Sequence, residues 1–279
     1  MDRPRRGSLK LDNSLRVRGN IAVGIAVWKR SIATIYPGKR DAGVSNLSQK
    51  RIAVFGASGA TGREVVRHAL RAGLEVVAID RSQPDEEDRL EGVTYRQADV
   101  LEDDLADAMK GCDAVISTLG VAFSPSNAMS PPPLYTKGTG NILDGMQRAG
   151  IDRIVVISAA FVADQPSLPK WFKLTVVPAL HNILEQMKEM EASLEEAENL
   201  EWTAVRPAWL IEKPANGELL VDDENLPQEA FRCRIGDLGA FMVDCVKNEK
   251  HVRGKPAVGA PEDEKFESPL ALGEEFVGL

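Results

Sequence analysis

The chain has 279 residues, of which 43% are apolar and 5% aromatic, and 34 Lys and Arg oppose 42 Asp and Glu for a net charge of −8. This length allows one large domain with a substantial core, and the acidic balance argues against binding to a nucleic-acid backbone. The widely spaced Cys112, Cys233 and Cys245 exclude a disulfide framework and a zinc site, and no apolar run approaches the roughly 20 residues that cross a bilayer.

The amino-terminal segment is basic. Residues 1–51 carry 12 basic and 3 acidic side chains, whereas residues 52–279 carry 22 and 39. An Arg-rich, acid-poor composition is typical of an organellar transit segment, and a disordered tail or a true start further downstream would look the same. We therefore predict an extension over 1–50, one folded domain over 51–260 and a tail over 261–279, with removal of 1–48 leaving the fold and cofactor binding intact. The predicted location is the cytoplasm, with an organellar matrix as the alternative.

From residue 51 onward, short β-branched runs alternate with amphipathic segments. This alternation is typical of βαβ units, and right-handed crossovers then build a doubly wound parallel sheet that is covered on both faces. Beyond residue 207, repeated Pro and Gly, including Gly236 and Gly239, predict short pieces that form a small lobe over the carboxyl edge of the sheet. The predicted strands are 51–55, 75–79, 93–96, 113–117, 153–157 and 202–206, and the predicted helices are 61–72, 103–110, 135–149 and 180–197.

The helix predicted over 180–197 has two different faces. Apolar residues recur on one face at three- and four-residue spacing, and the other face carries Glu185, Glu189 and Glu195. We interpret these acids as a solvated surface rather than as acid/base groups.

A glycine-rich turn, GASGATG over 56–62, lies between the first strand and the first helix. Glycine is needed here for a tight turn, for close approach of the backbone to a pyrophosphate, and for close packing of the helix on the sheet. The helix start supplies N–H groups and partial positive charge for phosphate oxygens. In this context the motif predicts dinucleotide binding, and the missing lysine of a triphosphate loop disfavours ATP and GTP. The predicted contacts are Gly56, Ser58, Gly59, Ala60, Thr61 and Gly62.

Asp80 and Arg81 follow directly at the end of the second strand. An acid at this place hydrogen-bonds the adenosine ribose and repels a 2′-phosphate, whereas an arginine accepts that phosphate. The residues alone leave NAD and NADP both open, since Arg81 can hold the phosphate only if Asp80 turns away. After the third strand, Asp99 and Val100 suit an adenine pocket, although Asp99 would equally cap the helix over 103–110.

Seven motifs stand in order along the chain. They are GASGATG at 56–62, ADV at 98–100, VISTLG at 115–120, GTGNI at 138–142, RIVVISA at 153–159, MKEME at 187–191 and LEWTAVRP at 200–207. In combination they resemble the NAD(P)H-binding, NmrA-like atypical short-chain dehydrogenase/reductases, in particular the biliverdin-IXβ reductase/flavin reductase branch. The likeness covers about 51–260. It implies an α/β fold, a Rossmann-type doubly wound parallel sheet with a small C-terminal substrate lobe.

The resemblance also implies roles for individual residues. Arg81 falls on the family's arginine for the 2′-phosphate, which favours NADP(H) as the cofactor while NAD(H) stays open. Where the reductase branch has two adjacent hydroxyl residues near the nicotinamide, this chain has Ser158 and then Ala159, and a histidine position of that branch falls on Ala208. The implied cofactor contacts beyond the glycine-rich turn are Asp80, Arg81, Asp99, Val100, Leu119, Gly120, Ser158 and Pro207.

Typical short-chain dehydrogenases use a Tyr-x-x-x-Lys pair to exchange a proton with the substrate oxygen. Four positions after Tyr36, Tyr95 and Tyr135 stand an arginine, an aspartate and a threonine, so the chain has no such pair. We therefore predict hydride transfer with little side-chain acid catalysis, to a conjugated acceptor that collects its proton from water.

Ser158 is the candidate catalytic residue. It would orient the nicotinamide carboxamide or polarise the acceptor, and the alternative is a satisfied hydroxyl at a strand end. Phe161, Trp171 and Trp209 lie in segments expected above the nicotinamide and are candidates for stacking on a planar substrate, with core packing as the alternative.

Three functions follow from these observations. The first is an NAD(P)H-dependent oxidoreductase, a monomer or homodimer, which acts on a small conjugated or carbonyl compound such as a flavin, quinone or tetrapyrrole. The second is a non-catalytic NAD(P)-binding redox sensor of NmrA-like type, and the third is an isomerase or epimerase that keeps its cofactor. A small molecule is the predicted partner, without metal, nucleic acid or membrane.

Overall fold

The centre of the structure is a mostly parallel sheet with helices on both faces. The computed structural model describes residues 49–122 and 124–263. Its strands are β1 (Arg51–Phe55), β2 (Glu75–Asp80), β3 (Val93–Gln97), β4 (Ala114–Ser117), β5 (Arg153–Ile157), β6 (Glu201–Pro207), β7 (Trp209–Ile211), β8 (Leu220–Asp222), β9 (Arg232–Arg234) and β10 (Ala257–Gly259). Its helices are α1 (Ala60–Arg71), α2 (Pro125–Met129), α3 (Thr139–Ala149), α4 (Lys170–Ala179), α5 (His181–Glu196) and α6 (Ile235–Lys247).

The order of the strands places the functional edge of the sheet. Eight strands pair in the order β3-β2-β1-β4-β5-β6-β10-β8, and β8 is antiparallel to β10. The chain moves outward from β1 in one direction through β3, then returns to β4 and moves in the other direction. Right-handed crossovers therefore place α1 on one face and α3 on the other, and the loops after β1 and β4 diverge into a crevice at the carboxyl edge. The predicted doubly wound α/β fold is confirmed.

The two strands whose bounds the sequence predicted correctly, β1 and β5, are buried along almost their whole length. Residues 52–55 of β1 are completely buried, and β5 is buried from end to end. A parallel strand that is covered on both faces reads as a continuous apolar run, so its limits are visible in the sequence. The short strands β8 and β10, which extend the sheet beyond the six predicted strands, have three residues each and little local signal.

The prediction of a helix over 103–110 is wrong. The chain forms bends there and one 3-10 turn at Asp107–Met109. Side-chain carboxylates take the place of helical hydrogen bonds, since Asp103 Oδ2 accepts from the Asp99 amide at 2.7 Å and Asp104 Oδ1 accepts from the amide two residues later at 3.0 Å. Aspartates that bond nearby amides in this way compete with helix formation.

The prediction that Gly236 and Gly239 interrupt the chain is also wrong, because both lie inside α6. A Cβ atom at Gly236 would stand 2.2 Å from the backbone nitrogen of Ala215, and one at Gly239 would stand 2.9 Å from the Cβ atom of Glu64 in α1. These glycines let α6 pack against the lobe and against α1 at places where no side chain fits.

The carboxyl-terminal part supplies the small lobe. Here β7 and β9 form a separate two-stranded parallel sheet directly after β6. The unpredicted α4 contains Pro178 and β-branched residues of low helix propensity, and its completely buried Phe172 shows that packing stabilises it. Apart from residues 49, 50 and 261–263, the predicted extension over 1–50 and tail over 261–279 lie outside the described residues.

Candidate functional site

The glycine-rich turn joins β1 to α1, and its three glycines expose backbone atoms where other residues would carry side chains. Gly56 has a φ of +73°, a left-handed conformation that favours glycine, and its amide donates to the Ile79 carbonyl at 3.1 Å. A Cβ atom at Gly62 would stand 2.1 Å from the Gly56 carbonyl oxygen. The first amides of α1 have no acceptor within the helix, and Thr61 lines the neighbouring cleft. This arrangement fits the pyrophosphate of a dinucleotide.

Asp80 is held against the glycine-rich turn. Its Oδ2 accepts from the Ser58 amide at 3.1 Å and from the Ser58 hydroxyl at 2.5 Å, and its Oδ1 accepts from the Arg81 amide at 2.8 Å. The Arg81 side chain is exposed. These bonds hold the Asp80 carboxylate against Ser58, and the choice between NAD and NADP at this pair of residues stays a prediction.

A cavity of about 220 Å³ lies beside this turn, between α1 and the ends of β2 and β3. Its lining includes Arg63, Arg67 and Arg96, together with Asp80 and Asp88. We call it the arginine pocket. The sequence analysis did not single out Arg63 or Arg67, although their four-residue spacing directly after the glycine-rich turn places them on one face of α1.

Asp99 and Val100 shape the loop after β3. Asp99 Oδ1 accepts from the Leu101 amide at 2.8 Å, and the Val100 carbonyl accepts from the Asn141 side chain at 2.8 Å. Neither residue lines the arginine pocket or the main cleft. Asp99 thus stabilises a turn. This role resembles the helix cap that the sequence offered as an alternative, although no helix follows. The contact of Asp99 with adenine stays a prediction.

The main cleft opens at the carboxyl edge of β4, β5 and β6 and has a volume of about 360 Å³. Loops that follow these strands form part of its lining, and α5 and the start of the lobe add apolar side chains. None of the described residues that line it is charged, and its hydroxyl groups belong to Thr61, Thr118, Tyr135 and Ser158. The predicted site residues that the cleft brings together are Thr61, Leu119, Gly120, Ser158, Phe161, Pro207 and Trp209.

Ser158 is joined to a buried ion-pair network beside the cleft. Its hydroxyl donates to Glu191 Oε1 at 2.6 Å, and Arg206 binds the same carboxylate through Nε at 2.9 Å and Nη2 at 2.6 Å. Lys255 Nζ lies 3.3 Å from Oε2. Burial alone raises the pKa of Glu191, but the hydrogen bonds from Arg206 and Ser158 outweigh it and hold this pKa below its ordinary value. Glu191 is therefore a carboxylate that only accepts.

The sequence analysis missed Glu191. The side chain lies four residues after Met187 on the buried face of α5 and is 3% exposed, whereas Glu185 and Glu189 lie nearer to solvent as expected. A single acid at the spacing of an apolar stripe was the available signal, and its partner Arg206 could be found only in the folded chain.

Tyr135 also lines the cleft, although no lysine follows it at the dehydrogenase spacing. The side chain is 5% exposed, and burial raises the pKa of Tyr135 to about 12, with a backbone hydrogen bond from Val121 acting in the opposite direction. The phenol is therefore neutral at physiological pH. A π-helical turn, Leu134–Gly138, ahead of α3 places it there.

The predicted aromatic set divides between the cleft and the core. Phe161 and Trp209 line the cleft, with ring centroids 6.2 Å apart. Trp171 does not line it, because its ring packs edge-on against Phe172 at 5.6 Å and Phe231 at 6.3 Å. Core packing, the alternative considered for these aromatics, describes Trp171.

Two kinds of site find no counterpart in the part of the chain that the structure describes. Among residues 49–122 and 124–263, no group of His, Cys, Asp and Glu side chains is arranged to hold a metal ion. In the same residues no helix combines the length and apolar composition that crossing a bilayer requires.

Comparison with known proteins adds a family and two informative relatives. The sequence model of the family described as NAD(P)H-binding matches residues 56–249. The Bacillus subtilis protein YwnB, whose name marks it as uncharacterised, is 28% identical over 171 residues, which is 57% of this chain and 71% of YwnB. The chloroplastic divinyl chlorophyllide a 8-vinyl-reductase of Arabidopsis thaliana is 26% identical over 247 residues, which is 80% of this chain but only 56% of that protein.

Solved structures share the fold at lower identity. A Streptococcus pneumoniae protein provisionally named an NADH-flavin reductase has a TM-score of 0.60 and 23% identity, and the match covers 76% of this chain and 99% of that one. A Veillonella parvula short-chain dehydrogenase/reductase in complex with NADP has a TM-score of 0.59 and 18% identity, with coverage of 77% and 96%. At these identities the likeness concerns the doubly wound fold alone.

Proposed function

Because this chain belongs to the NAD(P)H-binding family, we propose that it is an atypical short-chain reductase that uses NADPH to reduce a small, flat, conjugated acceptor such as a flavin, a quinone or a tetrapyrrole. Family membership agrees with the resemblance that the motifs predicted. The acceptor, the choice of NADPH over NADH and the absence of an acid catalyst are the parts that we add.

The chemistry of the main cleft is the observation that carries this proposal. The Ser158 hydroxyl donates to Glu191, and the Thr118 hydroxyl donates to the carbonyls of Phe55 at 2.9 Å and Gly56 at 3.0 Å. With a raised pKa, Tyr135 keeps its proton. The cleft thus offers apolar surface and no side chain that exchanges a proton near neutral pH. A conjugated acceptor that takes its proton from water needs none.

The residues of the cleft supply binding, orientation and exclusion of water. Amides of the glycine-rich turn would hold the pyrophosphate, and Phe161 and Trp209 offer aromatic surface to a planar acceptor. Apolar side chains of α5 limit the access of water. When bound, the reduced nicotinamide supplies the hydride. The names of two similar proteins, a vinyl-reductase and an NADH-flavin reductase, agree with this choice of acceptor.

The arginine pocket supports NADPH over NADH. Asp80 lines the same pocket, but its Oδ2 already accepts two hydrogen bonds from Ser58. The Arg63 side chain forms no hydrogen bond or ion pair with the described residues, and it lines this pocket together with Arg67 and Arg96. A phosphate that carries two negative charges would find positive partners here, and a related structure binds NADP.

The activity is tested by mixing the purified protein with NADPH and a panel of flavins, quinones and tetrapyrroles. We expect oxidation of NADPH that depends on one class of acceptor and exceeds the background rate. Binding of NADPH without any acceptor-dependent oxidation would reject the reductase and favour the redox sensor.

The cofactor preference is tested separately with Arg63→Ala. Loss of one charge-assisted hydrogen bond, about 1.5 to 3 kcal/mol, should weaken NADPH binding by about 10- to 100-fold and leave NADH binding unchanged. Arg71→Ala removes an exposed arginine from the last turn of the same helix, outside the arginine pocket, and is the matched control. Equal losses for NADPH and NADH in Arg63→Ala would remove this pocket from 2′-phosphate recognition.

A further inference from the structure

The buried carboxylate of Glu191 decides which way the Ser158 hydroxyl points. Glu191 is 3% exposed and is held by Arg206 through two hydrogen bonds and by Lys255 at 3.3 Å. A carboxylate between two cations stays ionised and has no proton to donate. The 2.6 Å contact between Ser158 Oγ and Glu191 Oε1 is therefore a bond in which Ser158 donates.

Because the Ser158 proton is used in this bond, Ser158 Oγ can offer only its lone pairs to the cleft that it lines. The backbone amide of Ser158 is also engaged, since it donates to the Val205 carbonyl at 2.7 Å. A hydroxyl whose single proton is committed to a carboxylate cannot protonate or polarise an acceptor oxygen, and it can only accept a hydrogen bond from a ligand. Of the two active roles that the sequence left open for Ser158, the geometry retains one.

We propose that Ser158 Oγ accepts a hydrogen bond from the amide nitrogen of the nicotinamide carboxamide, and that Glu191 is the positioning residue that fixes Ser158 in this role. The inference rests on the proposed dinucleotide binding, because the carboxamide is the cofactor's own N–H donor at the reactive ring. With that nitrogen held at Ser158, the orientation of the ring over the end of β5 is set by α5, an element distant from the glycine-rich turn in the sequence.

The test compares NADP with its acetylpyridine analogue, in which a methyl group replaces the amide nitrogen. Dissociation constants are measured by calorimetry for the wild-type protein and for Ser158→Ala. One hydrogen bond of about 1 kcal/mol predicts that the wild-type protein binds NADP about 3- to 10-fold more tightly than the analogue. In Ser158→Ala this ratio should fall towards one, whereas a purely structural defect would weaken both ligands alike.

The role of Glu191 is tested by the same ratio in Glu191→Gln. The glutamine amide can itself donate to Ser158 Oγ and take one of its two lone pairs, so Ser158 is no longer fixed as an acceptor for the ligand and the ratio should again fall. Glu195→Gln is the matched control, because Glu195 lies on the same helix and pairs with the same Lys255 at 2.6 Å without contacting Ser158. If Glu191→Gln does not fold, Glu191→Asp replaces it, since it keeps the charge but shortens the reach to Ser158.

The outcomes separate this inference from the proposed function. Tight binding of NADP with the same ratio in wild type and Ser158→Ala would overturn the inference and leave the reductase intact. A reduced ratio in Ser158→Ala and in Glu191→Gln, with Glu195→Gln unchanged, supports it. A wild-type protein that binds neither dinucleotide would overturn the proposed function and the inference together.

Discussion

Replacing Gly62 by alanine tests whether the glycine-rich turn works through close approach of two backbone segments. The new Cβ atom would stand 2.1 Å from the Gly56 carbonyl oxygen and 2.8 Å from the Ala57 Cα atom. Both obstacles belong to the backbone, so no side chain can rotate away to make room. Ordinary contacts begin near 3.4 Å, so the turn must open by roughly 1.3 Å relative to the present 2.1 Å.

Two separate effects should follow from this movement. Overpacking of this kind destabilises a fold by about 1 to 3 kcal/mol. The shift would also carry the amides of the turn away from the pyrophosphate, and loss of one charge-assisted hydrogen bond corresponds to about 10- to 100-fold weaker binding. We therefore expect Gly62→Ala to fold with reduced stability and to bind NADPH at least about tenfold more weakly.

Calorimetric titration with NADPH and urea unfolding measure the two effects. Gly73→Ala is the matched control, because Gly73 lies beyond the other end of α1 with a φ of +77° and has no atom within 4 Å of its built Cβ position. That substitution should cost about 1 to 2 kcal/mol of backbone strain and leave NADPH binding unchanged. If Gly62→Ala bound NADPH within twofold of the wild-type protein, the reasoning about close approach would be refuted.

Two further predictions concern the groups that border the main cleft. Because the pKa of Glu191 lies below its ordinary value of 4.5 in the folded protein, its stabilising contribution is fully present above about pH 4.5 and is lost as the pH falls through the lowered folded value. Glu191→Gln should lower the free energy of unfolding by about 3 to 5 kcal/mol at neutral pH, and this free energy should then decline less steeply in acid. Urea unfolding across a pH series measures both effects, and the same decline in acid as in the wild-type protein would contradict this prediction. Because the proposed reaction takes its proton from water, Tyr135→Phe should lower kcat by less than about tenfold and leave the pH profile of kcat between about pH 6 and 9 unchanged. A loss of 100-fold or more would identify Tyr135 as a general acid.

Local signals carried the prediction of the fold a long way. The first strand, the glycine-rich turn and the first helix are contiguous in the chain, and each is recognisable from residues that are neighbours in sequence. The strand β5 is equally plain, because a strand buried on both faces has no polar side to blur its limits. The alternation of such elements was sufficient for the doubly wound sheet, since right-handed crossovers leave few other arrangements.

Where side-chain chemistry competed with periodicity, the sequence was misleading. Aspartates over 103–110 bond to nearby amides instead of supporting a helix. Gly236 and Gly239 suggested breaks, but they are the positions at which α6 meets other backbone segments. A glycine that permits contact and a glycine that ends an element look the same until the neighbouring segment is known.

The sequence by itself determined a dinucleotide-binding sheet whose carboxyl edge carries Ser158 and the glycine-rich turn. Only the tertiary structure decided where the Ser158 hydroxyl donates, because its partner Glu191 is 33 residues away in the chain and is held ionised by Arg206 from another element. The charge balance shows the same division, since the net charge of −8 follows from composition alone, whereas only the folded chain shows that Glu191 is buried on the apolar face of α5. Burial and pairing of a charge depend on which distant segments meet, and this information is absent from local spacing.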